Sequence, residues 1–218
     1  MIRTFGWNEF LFILMAIRWT IALSAIAFIG GGIGGLAIAL ARTSGDKVVR
    51  QATAGFIRVF QGTPLLLQLF LVYFGMAVVG AAINPWIAAA LALTLHASAF
   101  LGEIWRGCIE AVPLGQNEAA TALGLKWASR QRWIILPQAA RIAVAPTVGF
   151  LVQLIKGTSL AAIIGFTELT RAGQIINNAT FEPFTVFSIV AGLYFVLCWP
   201  LSLLARQAEI RFARASAR

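Results

Sequence analysis

The stretch Glu118-Ala119-Ala120-Thr121-Ala122-Leu123-Gly124, followed after nine residues by Ile134-Ile135-Leu136-Pro137, decides how the rest of the chain is read. Its Ala, Leu and Glu residues favour a helix, Gly124 stops that helix, and Lys126 to Leu136 predicts a second one ahead of Pro137. The expected product is a short polar helix-turn-helix facing water, set between two apolar segments.

The surroundings are built for lipid. The 218 residues are 60% hydrophobic and 11% charged, with a mean hydropathy of +0.85, whereas soluble domains are about half apolar and about a quarter charged. An all-α integral membrane protein follows. The net charge of +9 is spread between apolar runs and forms no single patch, so it reads as a topology signal and not as a nucleic-acid footprint. Cys108 and Cys198 stand far apart without disulfide or zinc spacing and are read as packing residues.

About five transmembrane helices are expected. Residues 1–18, with Trp7, Glu9 and a run of Phe, Leu and Ile, have no basic leader and no small-residue cleavage site, and read as an outer interfacial lead-in without a cleaved signal. Residues 19–206 form the transmembrane region, with spans at 19–41, 64–82, 85–105, 142–166 and 184–205, each near the about 20 residues a bilayer requires. In the first span Gly30, Gly32 and Gly35 match a dinucleotide-binding pattern, but they lie inside a membrane helix. The better reading is helix packing through the small-xxx-small pairs Gly30/Gly34 and Gly31/Gly35. Arg50 to Phe60 has apolar residues at helical spacing and is read as lying along the inner surface. Pro146, Gly149 and Gly157 predict a bent or broken fourth span. The polar segment 106–141 is one loop, and 207–218 is a basic tail.

Charge gives the orientation. Arg42, Lys47, Arg50 and Arg58, then Arg106, Lys126, Arg130, Arg132 and Arg141, then Arg206, Arg211, Arg214 and Arg218 fall on one side of these spans. The other side holds Arg3, Arg18 and Arg171, and Lys156 is intramembrane. The positive-inside rule predicts the N-terminus outside, the C-terminus inside and the 106–141 loop in the cytoplasm.

The spaced pattern E-A-A, Gly124 and I-x-L-P resembles the cytoplasmic signature loop of type I ABC importer permeases. Gly62-Thr63-Pro64-Leu65-Leu66-Leu67-Gln68 is similar to a block of the polar amino acid permeases, with Gln61 where Arg is usual. Glu103-Ile104-Trp105-Arg106-Gly107 and Lys156-Gly157-Thr158-Ser159-Leu160 resemble two more, the second with Gly157 where Asp is frequent. The resemblance runs from about Trp19 to Ala213. It implies the permease subunit of an importer for a polar amino acid of the histidine, glutamine or arginine type, in a bacterial inner membrane. The implied partners are two ATPase subunits, a second permease that is identical or homologous, and an external solute-binding protein. Glu118, Ala119, Ala120, Thr121, Leu123 and Gly124 would form the ATPase-coupling element. Glu118 would serve as a polar contact, and Ala119 and Ala120 as small surfaces allowing close approach. No phosphate-binding loop of the G-x-x-x-x-G-K-[ST] type occurs, so ATP and Mg²⁺ are expected on the separate ATPase and no cofactor on this chain.

Polar residues inside spans are functional candidates: Gln68, His96, Ser98 and Thr158, with Glu168 at the outer end of the fourth span. Glu168 could meet a substrate amino group, but helix-to-helix hydrogen bonding explains the same residues equally. Glu103 and Arg106, at i, i+3, read as a structural ion pair, with a direct substrate role as the alternative. His96 is the only histidine, which leaves no basis for a metal site or a catalytic set and makes an enzyme a poor reading. A secondary transporter would need its own coupling-ion site, and no internal repeat is visible. A permease for a non-amino-acid solute such as an opine also stays open.

Overall fold

The computed structural model describes residues 4–216, with side chains through Ile210; Arg3, Arg218 and the side chains of Arg211 and Arg214, counted above as topology signals, lie outside that description. Helix α1 runs from Trp7 to Arg42. It is followed by α2 (Lys47–Gly62), α3 (Leu65–Val78), α4 (Pro85–Glu110) and α5 (Leu114–Ala122). A second group comprises α6 (Trp127–Arg130), a π turn (Gln131–Ile135), α7 (Leu136–Gly157), a 3₁₀ turn (Thr158–Ala162), α8 (Leu169–Thr180) and α9 (Pro183–Ser216). Among the described residues, four helical segments are long and apolar enough to cross a bilayer, or five if the bent pair α2 and α3 counts as one.

Helix α1 begins twelve residues before the expected Trp19, because Glu9 does not interrupt it. Its carboxylate accepts from the Gly6 amide at 3.1 Å in the first turn, where an acidic group opposes the helix dipole. The segment expected as a lead-in is therefore helix from Trp7 onward. The glycine run sets the packing of α1 on α4. A Cβ on Gly30 would stand 2.9 Å from the Thr94 side chain, one on Gly35 2.9 Å from Leu101 Cβ, and ones on Gly31 and Gly34 would collide with Ala97 and Ser98. Facing them, a Cβ on Gly102 would meet Ile38 at 2.7 Å. The two backbones approach because these side chains are missing, as in other small-residue membrane interfaces.

Around this contact Leu23, Ala27, Leu69, Leu93, Ala97, Leu101, Phe150 and Leu154 form the main core. Cys108 joins a second cluster with Ala39, Ile109, Val112, Ile135 and Ala139 where α1 and α4 end, and Cys198 is likewise buried and free. Ile13, Leu169, Ile176, Val186 and Val190 close the opposite end. Many large apolar side chains, among them Ile29, Ile33, Leu71, Phe74 and Phe195, stay exposed, as a lipid-facing surface requires.

Three segments differ from expectation. The span expected at 64–82 is a helix only to Val78, about 21 Å long at 1.5 Å per residue, and it meets α2 at 103°. Helix α2 therefore crosses the foot of α3, consistent with a helix lying along a surface. The second helix of the polar loop does not end before Pro137. Leu136 donates its N–H to Gln131 O, five residues back, and this π turn carries the chain past proline into α7. The fourth spanning helix thus starts at Trp127 and gives way at Gly157 to the 3₁₀ turn, instead of running from 142 to 166.

Candidate coupling loop and intramembrane polar network

Helix α5 leaves α4 through Val112, buried in the second cluster, and starts after Pro113. It ends in a complete Schellman stop: Gly124 N–H donates to Thr121 O at 2.9 Å and Leu125 N–H to Ala120 O at 3.1 Å. Gly124 sits at φ +76°, a left-handed conformation that costs glycine least. Arg130 Nη1 donates to Thr121 Oγ1 at 2.7 Å, and Gln138 Nε2 to Gln116 Oε1 at 3.4 Å, so α5 is fastened to α6 and the start of α7.

The residues of the loop divide between two faces. Glu118, Ala119, Thr121, Leu123 and Gly124 are exposed, and Leu114 (75% exposed) and Leu123 (78%) leave an apolar residue at each end. Ala120 is 1% exposed and faces its own protein, so of the two alanines expected to permit close approach only Ala119 is on the outer surface.

Within the bundle, Gln68 and His96 meet. Gln68 Nε2 donates to Phe60 O at 2.7 Å and to Thr63 O at 3.0 Å, carbonyls set free where α2 breaks from α3, and lies 2.9 Å from Thr63 Oγ1. Its Oε1 then faces His96 Nδ1 at 3.0 Å. Because that oxygen can only accept, this network puts a proton on Nδ1, and in the neutral ring Nε2 is then an acceptor with no protein partner among the described residues. The imidazole lies against Phe100 with centroids 4.4 Å apart.

Ser98 donates to Thr94 O at 2.8 Å and packs on Gly34; Thr158 is fully buried and donates to Ile155 O at 2.7 Å. Glu168, 0% exposed, caps α8 by accepting from the amides of Thr170 and Arg171, both at 2.8 Å, and accepts from Tyr194 Oη at 2.7 Å. Leu169 N–H reaches Thr20 Oγ1 of α1 at 3.2 Å. The structure brings Glu168 near α1 and α9 and does not place it with the Gln68 and His96 pair.

Arg106 pairs with Glu103 through two bonds, Nε to Oε2 at 2.9 Å and Nη2 to Oε1 at 2.5 Å. Its Nη1 binds Glu110, a partner the sequence reading missed although its i, i+4 spacing was visible. Also missed was Gln153, exposed with Lys156 three residues on along α7. Among the described residues no group of three or more His, Cys, Asp or Glu side chains is arranged to hold a metal ion.

Comparison with known proteins shows the family and the fold. Residues 31–214 match the family described as binding-protein-dependent transport system inner membrane component. A probable amino-acid ABC transporter permease protein, YckA of Bacillus subtilis (strain 168), is 36% identical over 88% of this chain and 84% of its own length. The nopaline transport system permease protein NocM of Agrobacterium fabrum is 34% identical over 90% and 86%. A crystal structure of an amino acid ABC transporter with histidines superposes with a TM-score of 0.86 at 33% identity, covering 96% of this chain and 100% of that one. The chain belongs to the inner membrane components of binding-protein-dependent transport systems, the multi-pass permease subunits of ABC importers, and is a transport component and not an enzyme.

Proposed function

We propose that this permease carries a polar amino acid or a closely related zwitterion inward. It works paired with a second permease, identical or homologous, above two ATPase subunits that bind ATP and Mg²⁺, and it receives solute from an external binding protein. The N-terminus faces outward and α5 faces the cytoplasm, the orientation that the basic segments favour. The observation that carries the reading is the joint between α5 and α7. A short helix with an outward surface of Glu118, Ala119 and Leu123 is tied by Thr121 and Arg130 to the helix that continues through the π turn into the bundle. Seated in an ATPase groove, α5 would move with its host as a rigid body and tilt α7.

The pathway follows the exposed polar face of α7, on the outside of this chain's own bundle. Gln153 and Lys156 are costly against lipid and favour a wet or subunit-covered surface, where Lys156 meets a carboxylate. The likeness to amino-acid permeases supports this substrate class, and NocM keeps opines within it.

The test is ATP-dependent uptake into proteoliposomes containing this chain with its co-expressed ATPase and binding protein, against labelled amino acids and an opine. Uptake of one chemical group that disappears without the ATPase is expected; uptake that persists without it overturns the importer reading. Glu118→Lys should abolish uptake while the chain still inserts, and unchanged uptake would sink the role of α5.

A further inference from the structure

A basic cleft lies where α1 and α4 end and α2 crosses them. Lys47, Arg50, Gln51, Ala54 and Arg58 recur along α2 at intervals of three and four residues, which places them on one stripe of the helix. With Arg42 from the last turn of α1 and Glu110 from the last turn of α4 they line a cavity of about 320 Å³, in which Ala54 leaves the middle of the stripe open. Four cations therefore converge on one space. The nearby carboxylates are already engaged: Glu110 with Arg106, and Asp46 with the amides of Val48 and Val49, 2.8 and 3.2 Å away. The Arg42 guanidinium spends Nη1 on Arg50 O at 3.3 Å, while its Nε is buried without a partner among the described residues. Four like charges lining one space repel one another unless an anion sits among them.

We propose that this cleft binds the phosphate of an anionic lipid headgroup. The forked N–H donors of Arg50 and Arg58 match phosphate oxygens, and Arg42 and Lys47 add charge. The lipid source follows from position. Two spanning helices end at the cleft, and α2 runs across the foot of the apolar α3 at 103°, so the cations sit at headgroup level. The same helix leaves Val48 and Val59 exposed, an apolar surface that acyl chains cover and that a free phosphate would leave in water. The assignment to the inner leaflet rests on the orientation proposed above. The binding test does not read transport, so its failure and the failure of uptake are separate results.

The full-length chain, purified with its co-expressed partners, is exchanged in detergent with dioleoylphosphatidylglycerol or dioleoylphosphatidylcholine, and retained lipid is read by native mass spectrometry. Preferential retention of phosphatidylglycerol is expected. The triple variant Lys47→Gln, Arg50→Gln, Arg58→Gln should weaken it about a hundredfold, at about fivefold per basic residue. Arg50→Lys keeps the charge but removes a fork, and should weaken retention several-fold in a protein that unfolds at the parent temperature. The control variant Lys126→Gln, Arg132→Gln, Arg141→Gln removes the same charge elsewhere and should retain the lipid. Equal retention by the triple variant, equal loss in the control, no preference over phosphatidylcholine, or displacement by millimolar inorganic phosphate would each overturn the proposal.

Discussion

Thr121 Oγ1 accepts a 2.7 Å hydrogen bond from Arg130 Nη1, across the turn that separates α5 from α6. The bond is exposed, so its loss would loosen the joint between α5 and α6 without leaving a buried donor unpaired. Thr121→Val should lower the amount of solute moved per ATP hydrolysed several-fold while the complex still assembles and hydrolyses ATP. Thr121→Ser, which keeps the acceptor, should behave as the parent. Uptake and hydrolysis measured together in proteoliposomes decide this, and an unchanged ratio for valine would remove the bond from the coupling path.

Gly124 combines φ +76° with open space around the position a Cβ would take, so substitution there is opposed by backbone conformation alone. The cost should be small for asparagine, about 1 kcal/mol for alanine and larger for valine. Uptake is expected to fall in that order, with insertion unaffected. Alanine and valine variants both transporting like the parent would contradict the strain argument.

At the α1 and α4 contact, Gly31→Ala puts a methyl group into Ala97. Overpacking of this kind costs about 1–3 kcal/mol. The thermal unfolding temperature of the purified protein should drop, and Ala97→Gly in the same chain should restore most of the loss. Failure of the second change to rescue the first would show that the contact is not the cause.

Gln68 holds the carbonyls of Phe60 and Thr63 at the break between α2 and α3. Gln68→Leu leaves both without that donor, at about 1–3 kcal/mol for each group left unsatisfied. Gln68→Glu, ionised, turns an oxygen toward them and should destabilise at least as much. Unfolding temperatures of the two variants test the ranking; a glutamate variant as stable as the parent would argue that the bend does not depend on this donor.

Glu168 was a substrate candidate in the sequence and is a fully buried cap in the structure. Glu168→Ala should cost about 1 kcal/mol or more through loss of the cap, and Glu168→Gln less, because one amide oxygen can still accept. If capping is its role, uptake by the glutamine variant should show a lower maximal rate from reduced protein and an unchanged KM. A large rise in KM for glutamine would instead assign it to solute binding.

Much of the architecture was legible because membrane spans and glycine-lined contacts are written in local sequence: the apolar runs, Gly30 to Gly35 and the E-A-A to Gly124 spacing needed no tertiary information. What escaped depended on which groups meet in space. Glu9 looked like a break in an apolar run, yet a carboxylate in a first turn closes a cap and lets α1 start at Trp7. Ala120 has the same composition signal as Ala119, and only the packing of α5 on its neighbours shows that one faces inward. Gln68 and His96 are 28 positions apart, and nothing local says that the first saturates broken backbone and the second completes it. Pro137 read as a stop because proline normally ends a helix, whereas a wider turn ahead of it absorbs the missing donor.

That wider turn has a consequence for register. A π segment holds one residue more than the α-helical turn it replaces, and each residue in a helix advances the direction of the side chains by about 100°. The end at the loop, with Arg130, and the far end, with Gln153 and Lys156, are therefore set in rotation by separate lengths of the same rod. Removing one residue between Gln131 and Ile135 would keep both faces where they are but leave Pro137 inside a plain helix, while the same deletion a turn or two further along α7 would twist one end against the other. Loss of a residue should thus cost only the proline penalty at this place, and the alignment of one end with the other on either side of it.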